Sequence, residues 1–125
     1  MSAVMAGAML VGCQSDPPKF GDNTESRYSG RTLTTRLPES VRVPAAMAAL
    51  DDVLRDRGYT IIETSVTEDK GRVVARAPRY NSYPRIVIEA NQTATSCVVE
   101  MRNEPFGDRE QVERLMGALL GKLGV

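Results

Sequence analysis

The 125-residue sequence contains no histidine. That absence removes the side chain most often used as general base and as neutral metal ligand. A serine or cysteine nucleophile would then depend on a lysine base. The only lysines are Lys19, Lys70 and Lys122, placed in a polar stretch, a turn and the C-terminal end. Charge of one sign is also lacking: 16 basic and 16 acidic side chains cancel, so the chain offers no long-range field to nucleic acid. The candidate acids are Asp51, Asp52, Asp56, Glu68 and Asp69; the first three fall on the exposed side of a helical pattern and the others in a hairpin loop. No acids recur at metal-ligand spacing on a helix face, and no glycine-rich loop leads from a strand into a helix to cradle phosphate. The expectation is a protein that is not an enzyme and carries no cofactor or metal.

Long apolar runs are lacking too. The uncharged start, residues 1–12, would be about 18 Å long as a helix, against a hydrocarbon core of about 30 Å. It is too short for a mature membrane span. It closes on Leu10-Val11-Gly12-Cys13, which resembles the lipobox of bacterial lipoproteins. That resemblance implies cleavage before Cys13, with the cysteine thiolate carrying the lipid. No lysine or arginine precedes Cys13, whereas a secretory signal carries a positive n-region; the expected repair is a start codon further upstream. Residues 14–30 are dense in turn formers and have no periodicity, so they bury too little apolar surface to offset their ordering entropy. The expected organisation is a signal peptide over 1–12, the lipidated cysteine and a flexible tether over 13–30, and one domain over 31–125. Gln14 is not the aspartate that marks inner-membrane retention in enterobacterial lipoproteins, so the resemblance favours the outer membrane, periplasmic side.

About 95 residues remain, enough for one core. Residues 31–37 are rich in β-branched side chains and stop at Pro38, as a short strand does. Val43, Met47, Leu50 and Leu54 recur at helical spacing among alanines, with Pro44 tolerated in the first turn and Gly58 after Arg55 and Arg57 as the stop. This predicts a helix over 44–57. Strands are expected at 59–66, 72–77, 84–90 and 95–102, joined by loops at 68–71, 78–83 and 91–94. Arg79, Tyr80, Asn81, Ser82 and Tyr83 form a polar hairpin whose tyrosines shield the sheet end. Asp108 is an N-cap with Gln111 three residues on, a capping box. Val112, Leu115, Met116, Leu119, Leu120 and Leu123 then make one apolar stripe. The expected fold is α+β: an antiparallel sheet of four to five strands with two helices packed on one face, in the order β-α-β-β-β-β-α.

The helix ending in Arg-Gly-Tyr-Thr-Ile, the Arg-Ile-Val-Ile-Glu strand and the run Val-Glu-Met-Arg-Asn-Glu-Pro-Phe-Gly-Asp-Arg-Glu are together similar to a family of small bacterial lipoproteins of unknown function. Phe106, Gly107 and Asp108 carry the sharpest part of the likeness. It implies fold and location, and no reaction.

Alternation puts Ile86, Ile88, Cys97, Val99 and Met101 on the helix-covered side, which makes Cys97 a buried thiol. Pairing Ile88 with Cys97, and Ile86 with Val99, sets Arg85 against Glu100 and Val87 against Val98 on the open face. The same rule pairs Val74 with Val87, Arg76 with Arg85 and Glu63 with Arg76. The expected docking surface is therefore a valine stripe of Val74, Val87 and Val98 beside the Arg76 and Arg85 pair, suited to an acidic partner segment or a lipid headgroup. The function read from the chain is a non-enzymatic, lipid-anchored envelope protein acting as a structural or partner-binding module, with the membrane and an envelope protein as partners. The alternative is a soluble small-ligand or lipid-binding domain. Cys13→Ser should abolish labelling by a clickable fatty acid and release the protein from the membrane fraction, because each buried methylene of an anchor contributes about 0.8 kcal/mol. An unlabelled, cytosolic wild-type protein would overturn the anchor.

Overall fold

A computed structural model describes residues 25–78, 85–104 and 108–125. Cys13, the signal peptide, the tether as far as Thr24, the 79–83 loop, and Phe106 with Gly107 lie outside the described residues. The fold is α+β. Six strands, β1 (Glu25–Ser29), β2 (Thr32–Leu37), β3 (Thr60–Val66), β4 (Lys70–Arg76), β5 (Arg85–Gln92) and β6 (Cys97–Glu104), form one sheet. The helices are α1 (Val43–Asp56) and α2 (Arg109–Leu123). Every pairing is antiparallel, in the spatial order β1-β2-β6-β5-β4-β3.

The strand count exceeds the expected four to five, and the order becomes β-β-α-β-β-β-β-α. The additional strand, β1, comes from the end of the stretch assigned to the tether. Two contacts hold it there. The Ser26 and Thr35 hydroxyls share a hydrogen bond of 2.7 Å, and Tyr28 packs against the core with the Arg109 guanidinium 5.3 Å from its ring centroid. A cation over an aromatic face contributes about 0.5–1 kcal/mol at such a site.

Helix α1 buries Val43, Met47, Leu50 and Leu54, the expected stripe, together with Ala46 and Val53. It ends at Gly58, whose φ of 85° is the left-handed conformation that glycine adopts without a steric penalty. Helix α2 buries Val112, Leu115, Met116, Leu119 and Leu120. Both cover the sheet face made by Leu33, Leu37, Ile86, Ile88, Cys97, Val99 and Met101. Gly71, expected in a loop, lies inside β4 directly beneath α1: a Cβ there would stand 2.6 Å from Met47 Cγ. Glycine lets the helix settle that close.

Two turns fall elsewhere than expected, and the registers follow them. The Thr67 hydroxyl accepts from the backbone N–H of Lys70 at 3.1 Å while Thr67 N–H donates to the Lys70 carbonyl at 2.7 Å, closing a turn over 67–70. The Thr93 hydroxyl accepts from Ser96 N–H at 3.0 Å and closes 93–96 in the same way. Glu63 accordingly faces Val74 rather than Arg76, and a bulge at Ile62 brings Thr60 opposite Arg76. Strand β5 runs on to Gln92, so Ile88 faces Met101 instead of Cys97, and Ile86 faces Asn103 instead of Val99. On the other face Arg85 meets Glu104 rather than Glu100, and Val87 meets Arg102 rather than Val98. The β5–β6 displacement is even, so every side chain keeps its expected face. Between β4 and β5 the expected pairs stand: Val74 with Val87 and Arg76 with Arg85.

Asp108 caps α2 by accepting from Gln111 N–H at 3.1 Å. The return half of the capping box is not made, because the Gln111 side chain is engaged elsewhere: its Oε1 accepts from Asn103 Nδ2 at 2.7 Å. Asp108→Ala should cost about 1 kcal/mol, lowering Tm by about 4–8 °C in a domain of this size. Thermal unfolding by circular dichroism checks this, and an unchanged Tm would remove the capping role.

Candidate binding site

The open face of the sheet is a lattice of charge. Glu63 and Arg72 approach to 3.6 Å, Arg72 and Glu89 to 2.8 Å, and Glu89 and Arg102 to 3.7 Å. The chain continues from Arg102 to Glu104 at 3.2 Å and from Glu104 to Arg85 at 3.4 Å. Each half-exposed pair contributes about 0.2–1 kcal/mol at most. The larger effect is cover. The registers surround Val74 and Val87 with Glu63, Arg72, Arg76, Arg85, Glu89 and Arg102, and the two valines are left only 3% and 2% exposed. The aliphatic stems of arginine shield apolar neighbours in this way while their heads stay in water.

The expected docking surface is therefore only partly assembled. Arg76 and Arg85 stand side by side at one end of the open face, half-exposed. Val74 and Val87 lie beneath the charged side chains. Val98 sits apart, opposite Asn91 and Arg36, because of the register of β5 with β6. Cys97 is a free, buried thiol whose pKa burial pushes up.

A cleft opens at that same end of the molecule, on the helix side. It has a volume of about 440 Å³, and its lining includes Arg57, Tyr59, Pro78, Asn103, Gln111 and Arg114. Its residues come from the segment after α1, the end of β4, the end of β6 and the first turns of α2. Asn103 continues the alternation Cys97, Val99, Met101 on the covered face, so the backbone directs its amide inward, where it is only 4% exposed. Asn103 Nδ2 donates to Gln111 Oε1, and Gln111 Nε2 donates to the Tyr59 hydroxyl oxygen. Among the described residues Asn103 Oδ1 has no hydrogen-bond partner. A buried acceptor left unpaired costs about 1–3 kcal/mol. Such a group in a native fold calls for an explanation.

The electrostatics of the cleft are lopsided. Among the described residues neither Arg57 nor Arg114 has a carboxylate within ion-pair distance. Burial raises the Tyr59 pKa above its ordinary value, opposed by the Gln111 hydrogen bond and by the nearby Arg114 and Arg57 guanidiniums. Because the Tyr59 oxygen accepts from Gln111, its own proton is available to donate into the cleft. The cleft thus presents two guanidiniums and a phenolic O–H as donors, with the buried Asn103 amide and the Asp108 carboxylate, which caps α2, as acceptors. Sequence reasoning assigned none of Arg57, Tyr59, Asn103, Gln111 and Arg114 to a site, reading Arg57 only as part of a helix stop and Gln111 only as part of a capping box. The one signal available was Asn103, a polar residue in phase with an apolar alternation.

Among the described residues no helix is long and apolar enough to cross a membrane, and no three histidine, cysteine or acidic side chains group to hold a metal ion. Compared with protein-family models and with curated proteins, the chain matches none.

The raised pKa of Tyr59 has a measurable sign. The folded protein holds the phenolic proton more tightly than the unfolded chain, so the stabilisation is complete below the ordinary tyrosine pKa of about 10 and is lost as the pH rises through the folded value. Tm should fall more steeply above about pH 10 in the wild type than in Tyr59→Phe. Parallel pH profiles would overturn the assignment.

Proposed function

We propose that this chain is a lipid-anchored protein of the bacterial cell envelope whose folded domain is a non-enzymatic partner-binding module. The anchor rests on Leu10-Val11-Gly12-Cys13 and the polar stretch that follows. The small-lipoprotein resemblance and the outer-membrane placement belong to the same proposal. The binding role rests on one geometric observation. Strand β1 starts at Glu25, beside the end of β2 and the start of β6. Arg57, Arg76 and Arg114 gather at the opposite end, near the end of β4 and the start of α2. An anchor attached ahead of Glu25 leaves that cationic end facing away from the point of attachment.

In a formally neutral protein whose Arg72, Arg85 and Arg102 are tied into ion pairs on the open face, the guanidiniums at this end that are unpaired among the described residues attract an anionic surface. Close packing favours partner binding over the ligand-carrier alternative: Leu33, Leu54, Ile86, Ile88, Met101, Met116 and Leu119 are all 0% exposed, leaving no room for an acyl chain between helices and sheet.

The test is affinity capture from solubilised envelopes with wild type and the double variant Arg76→Glu, Arg85→Glu, read by quantitative mass spectrometry. The wild type should retain an acidic partner that the double variant loses, with the circular dichroism spectrum unchanged. Equal retention by a folded double variant would remove the role of this end.

A further inference from the structure

We propose that the cleft binds the C-terminal end of a peptide chain, its carboxylate held between Arg57 and Arg114 and its last backbone N–H donated to Asn103 Oδ1. The inference rests on reading the domain as a binding module and deepens it by naming the chemistry recognised. It follows from what the cleft lacks and what it offers in excess. The unpaired acceptor is built in: Asn103 lines the cleft and is 4% exposed, its Nδ2 is committed to Gln111 at 2.7 Å, and its Oδ1 has no hydrogen-bond partner among the described residues. A bare carboxylate such as acetate cannot satisfy it, because an ionised carboxylate only accepts. A ligand with a donor alone would leave Arg57, Arg114 and the Tyr59 hydroxyl unmatched. Two cations, a phenolic donor and one buried acceptor together fit a carboxylate with an N–H close by. A chain terminus has that pattern in its last residue.

The remaining wall fits the same guest. Ala77, Pro78 and Leu115 line the cleft and provide apolar contact for a terminal side chain. Its size, about 440 Å³, falls in the range of about 300–1,000 Å³ typical of small-ligand sites. Gln111 holds the arrangement rigid, since its side chain spans from Asn103 on β6 to Tyr59 ahead of β3. Asp108 also lines the cleft, but its Oδ1 is engaged in capping α2, accepting from Gln111 N–H. The two guanidiniums and Asn103 therefore set the polarity of the guest.

The experiment is an NMR titration of the ¹⁵N-labelled full chain with N-acetyl-Ala-Ala, followed at the side-chain amide signals of Asn103 and Gln111. Its C-terminal amide, free alanine and sodium acetate are titrated in parallel. The acid should shift both amides saturably, and the three controls should bind at least about tenfold more weakly. Arg57→Gln and Arg114→Gln, both at exposed positions, should each weaken binding about tenfold. Asn103→Leu, followed at the Gln111 amide and confirmed folded by circular dichroism, should weaken it similarly, because the acceptor for the ligand N–H is gone. Equal binding of the amide-capped peptide would overturn carboxylate recognition, and equal binding of acetate would overturn the role of Asn103. Equal binding of alanine would move the assignment from a peptide end to a free amino acid. No shift at about 10 mM acid, or wild-type affinity in both arginine variants, would overturn the site itself. Because the readout sits at Asn103 and Gln111, a failure here is separate from loss or retention of the partner captured through Arg76 and Arg85.

Discussion

The rest of the structure depends on one row of apolar side chains. Tyr28, Leu33, Met101, Ile88 and Val73 stand opposite one another across five adjacent strands, all on the face that α1 and α2 cover. A slip of one residue in any of these strands would carry charge under the helices: Arg102 or Glu100 in place of Met101, Glu89 in place of Ile88. Burying one such group without a partner costs several kcal/mol. The row therefore fixes the parity of the whole sheet. The parallel row of Thr35, Val99, Ala90 and Gly71 is made of smaller residues, and over its glycine end Met47 of α1 sits.

Parity was legible in the sequence because alternation needs only neighbours along one strand. Register was not, because it depends on turns, and the turns at Thr67 and Thr93 are closed by hydroxyls of a residue that favours strands on average. Strand β1 was illegible for a related reason. Its inward side offers only Ser26 and Tyr28, too few for a periodic signal, and the contacts that hold it come from Thr35 and Arg109. The cleft was the least legible part. Tyr59, Asn103 and Gln111 come from separate elements, and only the folded chain reveals that one amide bridges the other two. The Arg76 and Arg85 pair was read correctly from local register, yet the valines beside it proved to lie under the arginines that were expected to flank them.

Zero net charge is an average that conceals this organisation. On the open face alternating signs neutralise each other at 2.8–3.7 Å, and helix pairs such as Arg55 with Asp51 and Arg109 with Glu113 do the same on the other side. Arg57, Arg76 and Arg114 share one end of the molecule, and the buried amide of Asn103 lies among the groups there. A composition-level argument against long-range attraction and a structural argument for short-range recognition are therefore compatible, because at physiological salt the field of a few charges reaches only about 8 Å.

The position of β2 bears on how the chain reaches this fold. Its neighbours in the sheet are β1, just before it, and β6, whose residues lie 60 to 70 positions later in the chain. In vectorial synthesis or export the β1–β2 hairpin emerges ahead of the other strands, and its β2 edge stays unpaired until β6, the last strand, arrives, while α1 and the β3–β5 meander form in between. An isolated hairpin is marginal in water, and closing so long a loop makes the final insertion slow. Through that interval Leu33 and Leu37 stay uncovered beside open backbone amides. Folding of this protein is in that respect a wait for β6, and its exposure to misassembly is concentrated in the time before that strand is delivered.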